Sequence, residues 1–120
     1  PRWNDSADDE GWYLALEGVT THQSPYMPHP TVNRIRDLVR SLNYVVSIHA
    51  VEELDDDNLT IFDLESILLT GRIIERQRDR QTREVKCVVS GATLAGAPAQ
   101  AVVKVGPAGQ LVVITVYLTS

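Results

Sequence analysis

Residues 47–52 read SIHAVE, residues 68–75 read LLTGRIIE, and residues 114–117 read ITVY. In the first stretch, Ser47 is suited to cap a short helix that runs through Leu54, and His49 has apolar neighbours that predict a buried histidine. The second stretch is the end of a longer helix, with Gly71 where a left-handed C-terminal cap belongs, followed by a strand. The third is the terminal strand. Their order predicts a small domain in which helices precede a sheet.

The composition fits a single domain. The chain has 120 residues, of which 43% are hydrophobic, so it can bury a core. We expect residues 1–30 to be an acidic arm with a proline-rich linker and residues 31–120 to be one α+β domain. The only cysteine, Cys87, is predicted to be an inert core thiol. With no apolar run near the roughly 20 residues of a membrane span, these features predict a cytoplasmic protein without membrane contact.

Apolar periodicity predicts the order of elements beyond the arm. Thr31 opens a helix with an apolar stripe, and Thr60 with Asp63 resembles a capping box at the start of another. From Arg72 onward the period changes to two, which is typical of strands. We therefore expect an α+β fold, with two to three N-terminal helices packed on one face of a C-terminal antiparallel sheet of about four strands.

The last hairpin predicts which side chains share a face. With a four-residue loop at residues 106–109, Gln100 lies across from Thr115 on the face that the helices leave uncovered. The predicted core-facing residues are Val85, Cys87, Val89, Ala101, Val103, Val105, Gln110, Val112, Ile114 and Val116. The opposite face then gathers lysine, glutamine, threonine and tyrosine side chains.

Charge is distributed unevenly along the chain, which has a net charge of −5. Residues 1–30 hold five acids and one base, residues 31–71 hold eight acids and three bases, and residues 72–120 hold seven bases and three acids. A basic second half is what contact with phosphate requires, although solvated charge on opposite faces is the plainer interpretation. The residues predicted to bind RNA are Arg76, Arg78, Arg80, Arg83, Lys104, Gln100 and Thr115.

Three further residues are candidates for catalysis. Metal-independent cleavage of RNA needs a base, an acid and cations around the phosphate, and His49, Lys86 and Tyr117 offer these groups. A hydrogen-bonded structural role for His49, and an ordinary polar sheet face around Tyr117, are the alternatives. The other two histidines, His22 and His29, have no cysteine or carboxylate at ligand spacing, so neither a metal site nor a cofactor is expected.

From about residue 44 to residue 117, these motifs resemble the bacterial domain-of-unknown-function family 4258. The matching marks are Ser-x-His-Ala at residues 47–50, Leu-x-x-Gly-x-Ile-Ile-Glu ending at residue 75, the Gly-x-Pro turn at residues 96–98, and the final Thr-Val-Tyr. The resemblance implies a RelE-like fold related to the RelE- and MqsR-like ribonuclease toxins. Two of the family's usual arginines fall at Glu53 and at Asp57-Asn58, and a frequent histidine falls at Gln100.

Two functions follow from the sequence. The first is a toxin-like, metal-independent domain that cleaves or binds RNA in a bacterial toxin–antitoxin system, with RNA and an antitoxin-like protein as partners. The second is a non-catalytic protein-interaction domain on the same fold. The arm at residues 1–30 is expected to support homo-oligomers, so deleting residues 1–20 should change RNA affinity or oligomeric state.

Overall fold

The computed structural model describes residues 30–81 and 83–119, and this part of the chain has an α+β fold, as predicted. Its helices are α1 (Val32–Arg40), α2 (Ile48–Asp56) and α3 (Ile61–Thr70). Its strands are β1 (Tyr44–Val46), β2 (Arg72–Arg78), β3 (Val85–Ala92), β4 (Pro98–Val105) and β5 (Leu111–Leu118). The predicted acidic arm and linker, residues 1–30, and their role in self-association lie outside the described residues except for Pro30.

The helices begin where side-chain caps predict them. The Ser47 side chain accepts a hydrogen bond from the Ala50 N–H (3.0 Å), which opens α2. The Thr60 hydroxyl accepts from the Asp63 N–H (3.3 Å), and the Asp63 carboxylate accepts from the Thr60 N–H (2.9 Å), so the capping box at α3 is complete. Both predicted caps are confirmed.

Gly71 has a different role from the one predicted. Its φ is −87°, so the left-handed cap predicted at this position was wrong. A Cβ atom here would lie 2.5 Å from Val89 Cγ1 and 2.6 Å from the Ile67 carbonyl oxygen. Glycine is therefore required because the end of α3 passes close to β3, and not because of an unusual backbone angle.

Within the described residues, the sheet has five strands in the order β1-β5-β4-β3-β2. Neighbours from β5 to β2 are antiparallel, while β1 is parallel to β5, with Tyr44 opposite Leu111. The expectation of about four strands, all antiparallel, was therefore wrong, because the sheet also contains β1, which is parallel to β5. Three residues are too few to show an alternating pattern, so the sequence did not reveal this strand.

One core joins helices α1, α2 and α3 to one face of the sheet. Helix α1 contributes Ile35, Leu38 and Val39, α2 contributes Ala50 and Leu54, and α3 contributes Leu64, Ile67 and Leu68. The strands contribute Val85, Cys87, Val89, Ala99, Ala101, Val103, Leu111, Val113 and Val116. The predicted inward residues of β3, including the buried thiol of Cys87, are thus confirmed.

The hairpin between β4 and β5 differs from the prediction by one residue. Its loop spans residues 106–110, so Val105 lies opposite Leu111. The Gly106 N–H donates to the Gln110 carbonyl (2.8 Å), and Gly109 has a φ of 86°, which closes the longer loop. A one-residue shift reverses the faces of a strand, so the first half of β5 faces opposite to the prediction.

A bulge at Ile114 reverses the faces of β5 a second time. Beyond it, Thr115 lies on the predicted face, but it is only 4% exposed, so its predicted position on an open surface was wrong. The predicted pairing of Gln100 with Thr115 was nevertheless wrong, because Thr115 lies opposite Val102 and Gln100 lies opposite Tyr117. The two errors, in loop length and in the missing bulge, together leave Thr115 on the predicted face of the sheet but opposite a different residue.

Candidate functional site

The sheet face opposite the helices, which we call the second face, carries three rows of side chains across β5, β4, β3 and β2. The first row is Tyr117, Gln100, Ser90 and Arg72. The second row is Thr115, Val102, Val88 and Glu75. The third row is Val112, Lys104, Lys86 and Gln77. Rows are about 7 Å apart, since residues that share a face are two positions apart.

The first row contains the candidate acid. The Tyr117 hydroxyl donates a hydrogen bond to the Gln100 side-chain oxygen at 2.7 Å. Burial raises the pKa of Tyr117, and the negative charges of Glu75 and Glu53 raise it further. Tyr117 is therefore held in its protonated form, which can donate a proton but is a poor base at neutral pH.

Helix α2 brings a histidine and a carboxylate to the edge of this face. His49 Nε2 lies 3.2 Å from Glu53 Oε2, and the side chains are 66% and 25% exposed respectively. The other oxygen, Glu53 Oε1, accepts from the Thr115 hydroxyl (2.5 Å) and from the Val116 N–H (2.8 Å). The carboxylate is thus fixed on β5 and in turn orients the imidazole.

Local structure explains why α2 lies here. Strand β1 pairs with β5 only as far as Val113, and the bulge follows. At that point the Ser47 N–H donates to the Val113 carbonyl and its hydroxyl donates to the Ile114 carbonyl, both at 2.9 Å. The start of α2 is therefore attached to β5, and Glu53 occupies the strand edge that β1 leaves uncovered.

The predicted burial of His49 was wrong. Its neighbours in sequence are apolar, yet only Ala50 faces the core, because adjacent helix residues point about 100° apart. His49 instead pairs with Glu53 one turn later. The sequence marks Glu53 only as a departure from the family pattern, although a histidine and a glutamate four residues apart on a helix are a recognisable interacting pair.

Lys86 and Lys104 lie in the third row, away from Tyr117. Lys86 and Ser90 are four residues apart on β3, so the third row is about 13 Å from the first. Lys104 Nζ is 2.8 Å from Glu84 Oε1, and Lys86 Nζ is 3.9 Å from Asp79 Oδ2. Lys86 is therefore not positioned beside His49 and Tyr117, and both lysines share their charge with carboxylates.

The predicted arginines are divided between two parts of the surface. Arg76 and Arg78 pair with Cys87 and Val85, so both lie on the side of the helices, and an Arg76 guanidinium nitrogen donates to the Pro30 carbonyl (3.2 Å). Arg80 and Arg83 lie between β2 and β3. Only Lys104, Gln100 and Thr115 of the predicted RNA-binding set belong to the second face.

No group of three or more histidine, cysteine, aspartate or glutamate side chains within residues 30–81 and 83–119 could hold a metal ion. Across the same ranges, no helix has both the length and the apolar content to cross a membrane.

A family model for a domain of unknown function, DUF4258, matches residues 46–118, which is more than half of the chain. The chain belongs to the DUF4258 family. The matched range of this DUF4258 domain contains His49, Glu53, Gln100 and Tyr117, and it excludes α1. No curated protein and no solved structure matches the chain.

Proposed function

We propose that this DUF4258 domain is a toxin-like, metal-independent RNA-cleaving domain of a toxin–antitoxin system, with the RelE-like relationship that the sequence motifs imply. The observation that carries the proposal is the exposed imidazole of His49 held by the half-buried carboxylate of Glu53. A histidine oriented in this way is suited to general base catalysis. Tyr117, which follows Val116 on β5, and its partner Gln100 provide a proton donor and a polar contact.

His49 is the base in this proposal. When Nε2 donates its proton to Glu53, the lone pair of Nδ1 is left to accept a proton. Nδ1 removes the proton from a ribose 2′-hydroxyl, and the 2′-oxygen then attacks the adjacent phosphorus. The imidazolium that forms is stabilised by the Glu53 carboxylate, whose position is fixed by Thr115 and Val116.

Tyr117 is the acid. As the bond from phosphorus to the 5′-oxygen breaks, the hydroxyl transfers its proton to the departing oxygen, and the products are a 2′,3′-cyclic phosphate and a 5′-hydroxyl end. The phenolate then recovers a proton from His49 or water. The raised pKa of Tyr117 disfavours the reverse assignment, with tyrosine as the base, at neutral pH.

The third row contributes binding and not chemistry in this scheme. Lys86 and Lys104 lie about 13 Å from the first row, a distance at which they can contact a flanking phosphate of the same strand. A phosphate there competes with Asp79 and Glu84 for the two ammonium groups. Binding should therefore be weak and should depend strongly on salt.

The test is cleavage of a defined single-stranded RNA by the full chain in EDTA. We expect slow cleavage by the wild type, and losses of at least about a hundredfold for His49→Gln and for Tyr117→Phe. Tyr44→Phe is the matched control, because it also removes a tyrosine hydroxyl, one that donates to Glu65 instead of Gln100. The control should cleave at the wild-type rate.

Equal cleavage by the wild type and both variants would assign the activity to a contaminant. No cleavage by the wild type would remove the catalytic proposal and favour the second candidate, a non-catalytic protein-interaction domain. The observation that favours this second candidate is the pairing of Lys86 and Lys104 with carboxylates, which weakens the second face as a site for a polyanion.

A further inference from the structure

The outer surface of α2 has a composition that its role in the candidate site does not explain. With adjacent helix residues about 100° apart, Ile48, Val51, Glu52 and Asp55 fall within one arc of about 100°. All four are exposed, while Ala50 and Leu54 on the opposite side of the helix are buried. We call these four residues the α2 surface.

Two aliphatic side chains form its apolar part. Ile48 is 78% exposed and Val51 is 51% exposed, and they are one turn apart. Single exposed apolar residues are common, but two at this spacing form a ridge of the kind that packs into the groove of another helix. A helix with leucines at matching positions is the element that fits this ridge.

The negative charge around the ridge favours a positively charged binding partner. Residues 48–57 contain five acids and neither lysine nor arginine. In the part of the chain that the structure describes, the carboxylates of Glu52, Asp55 and Asp56 are in no ion pair. Asp55 and Asp56 also lie at the negative end of the helix dipole, where cations are favoured.

We propose that the α2 surface docks a lysine- or arginine-rich amphipathic helix of a partner protein. Charge argues against two other occupants. Residues 1–30 carry five acids and one base, and a second α2 surface would place carboxylates against carboxylates. The docking needs no RNA and no catalysis, so it stands apart from the cleavage proposal.

The probe is a synthetic helical peptide with leucine at positions i, i+3, i+4 and i+7 and lysine elsewhere. Its binding to the full chain is measured by fluorescence anisotropy, alongside a peptide in which glutamate replaces lysine. We expect the lysine peptide to bind and the glutamate peptide not to bind. The double variant Ile48→Asp, Val51→Asp should raise the Kd at least about tenfold. Glu52→Lys with Asp55→Lys should also weaken binding and reduce its salt dependence.

Phe62→Asp is the matched control. Phe62 is 62% exposed on α3, so this variant places a new acid at a different exposed apolar position. It should bind the lysine peptide as the wild type does, and all variants should show the wild-type circular dichroism spectrum. An unchanged Kd for the Ile48/Val51 variant, or equal binding of both peptides, would overturn the proposal. The proposal would also be overturned if the mass of the wild type in solution rises with protein concentration and the mass of the Ile48/Val51 variant does not. The surface would then bind a second copy of the chain.

Discussion

Replacing Glu53 with alanine should be among the most destabilising single changes on α2. The carboxylate accepts hydrogen bonds from the Thr115 hydroxyl and the Val116 N–H, and Thr115 is only 4% exposed. An unpaired buried polar group costs about 1–3 kcal/mol, and water can reach part of the vacated space, so we expect a total loss of about 2–4 kcal/mol. For a domain of this size, that lowers the melting temperature by about 10–25 °C.

Urea unfolding followed by circular dichroism measures this loss, and the neighbouring residue supplies the control. Glu52 is exposed on the same helix, so Glu52→Ala should change the free energy of unfolding by no more than about 0.5 kcal/mol. A double-mutant cycle of Glu53→Ala with Thr115→Val should show a coupling of about 1–2 kcal/mol. If Glu53→Ala behaves like Glu52→Ala, or if the cycle is additive, the carboxylate does not fix α2 to β5.

Three other predictions concern stability at alkaline pH, packing at Gly91 and the charge of Lys104. Burial, with the hydrogen bond to Glu65, raises the pKa of Tyr44 from 10.0 to about 12, so its stabilising contribution is complete below pH 10 and is lost as pH rises toward 12. In urea unfolding across that pH range, the free energy of unfolding of Tyr44→Phe should fall less than that of the wild type, because the variant has no hydroxyl to ionise. A Cβ at Gly91 would lie 2.2 Å from the Ile67 carbonyl oxygen, so Gly91→Ala should cost about 3 kcal/mol or more in the same assay. Lys104→Gln should weaken RNA binding and reduce the slope of log affinity against log salt by about 0.7, measured by anisotropy on single-stranded RNA.

The sequence predicts the elements of this fold better than their pairing. Helix starts at Ser47 and Thr60 depend on residues three positions away, and β3 shows a clear alternation, so local patterns were sufficient for both. Strand β1 depends on contacts with Leu111, more than sixty residues away. The bulge at Ile114 likewise depends on pairing that no local pattern encodes.

The candidate site was predicted in part for the same reason. Tyr117 and Gln100 share a face as predicted only because the errors in loop length and bulge cancel, and they were not predicted to be opposite each other. The structure separates Lys86 from them by two rows, since distance along a strand depends on register. The interaction of Glu53 with β5 joins a helix to a strand edge, and only the assembled fold brings these groups together.

A chimeric oligonucleotide tests the catalytic claim most directly. It is DNA with a single ribonucleotide, incubated with the full chain in EDTA, and its products are identified by mass spectrometry. Because His49 is proposed to act on a 2′-hydroxyl, we predict one cut, directly after the ribonucleotide, that leaves a 2′,3′-cyclic phosphate, and no cut with His49→Gln. An intact chimera, a cut elsewhere, or the same cut with His49→Gln would contradict the account.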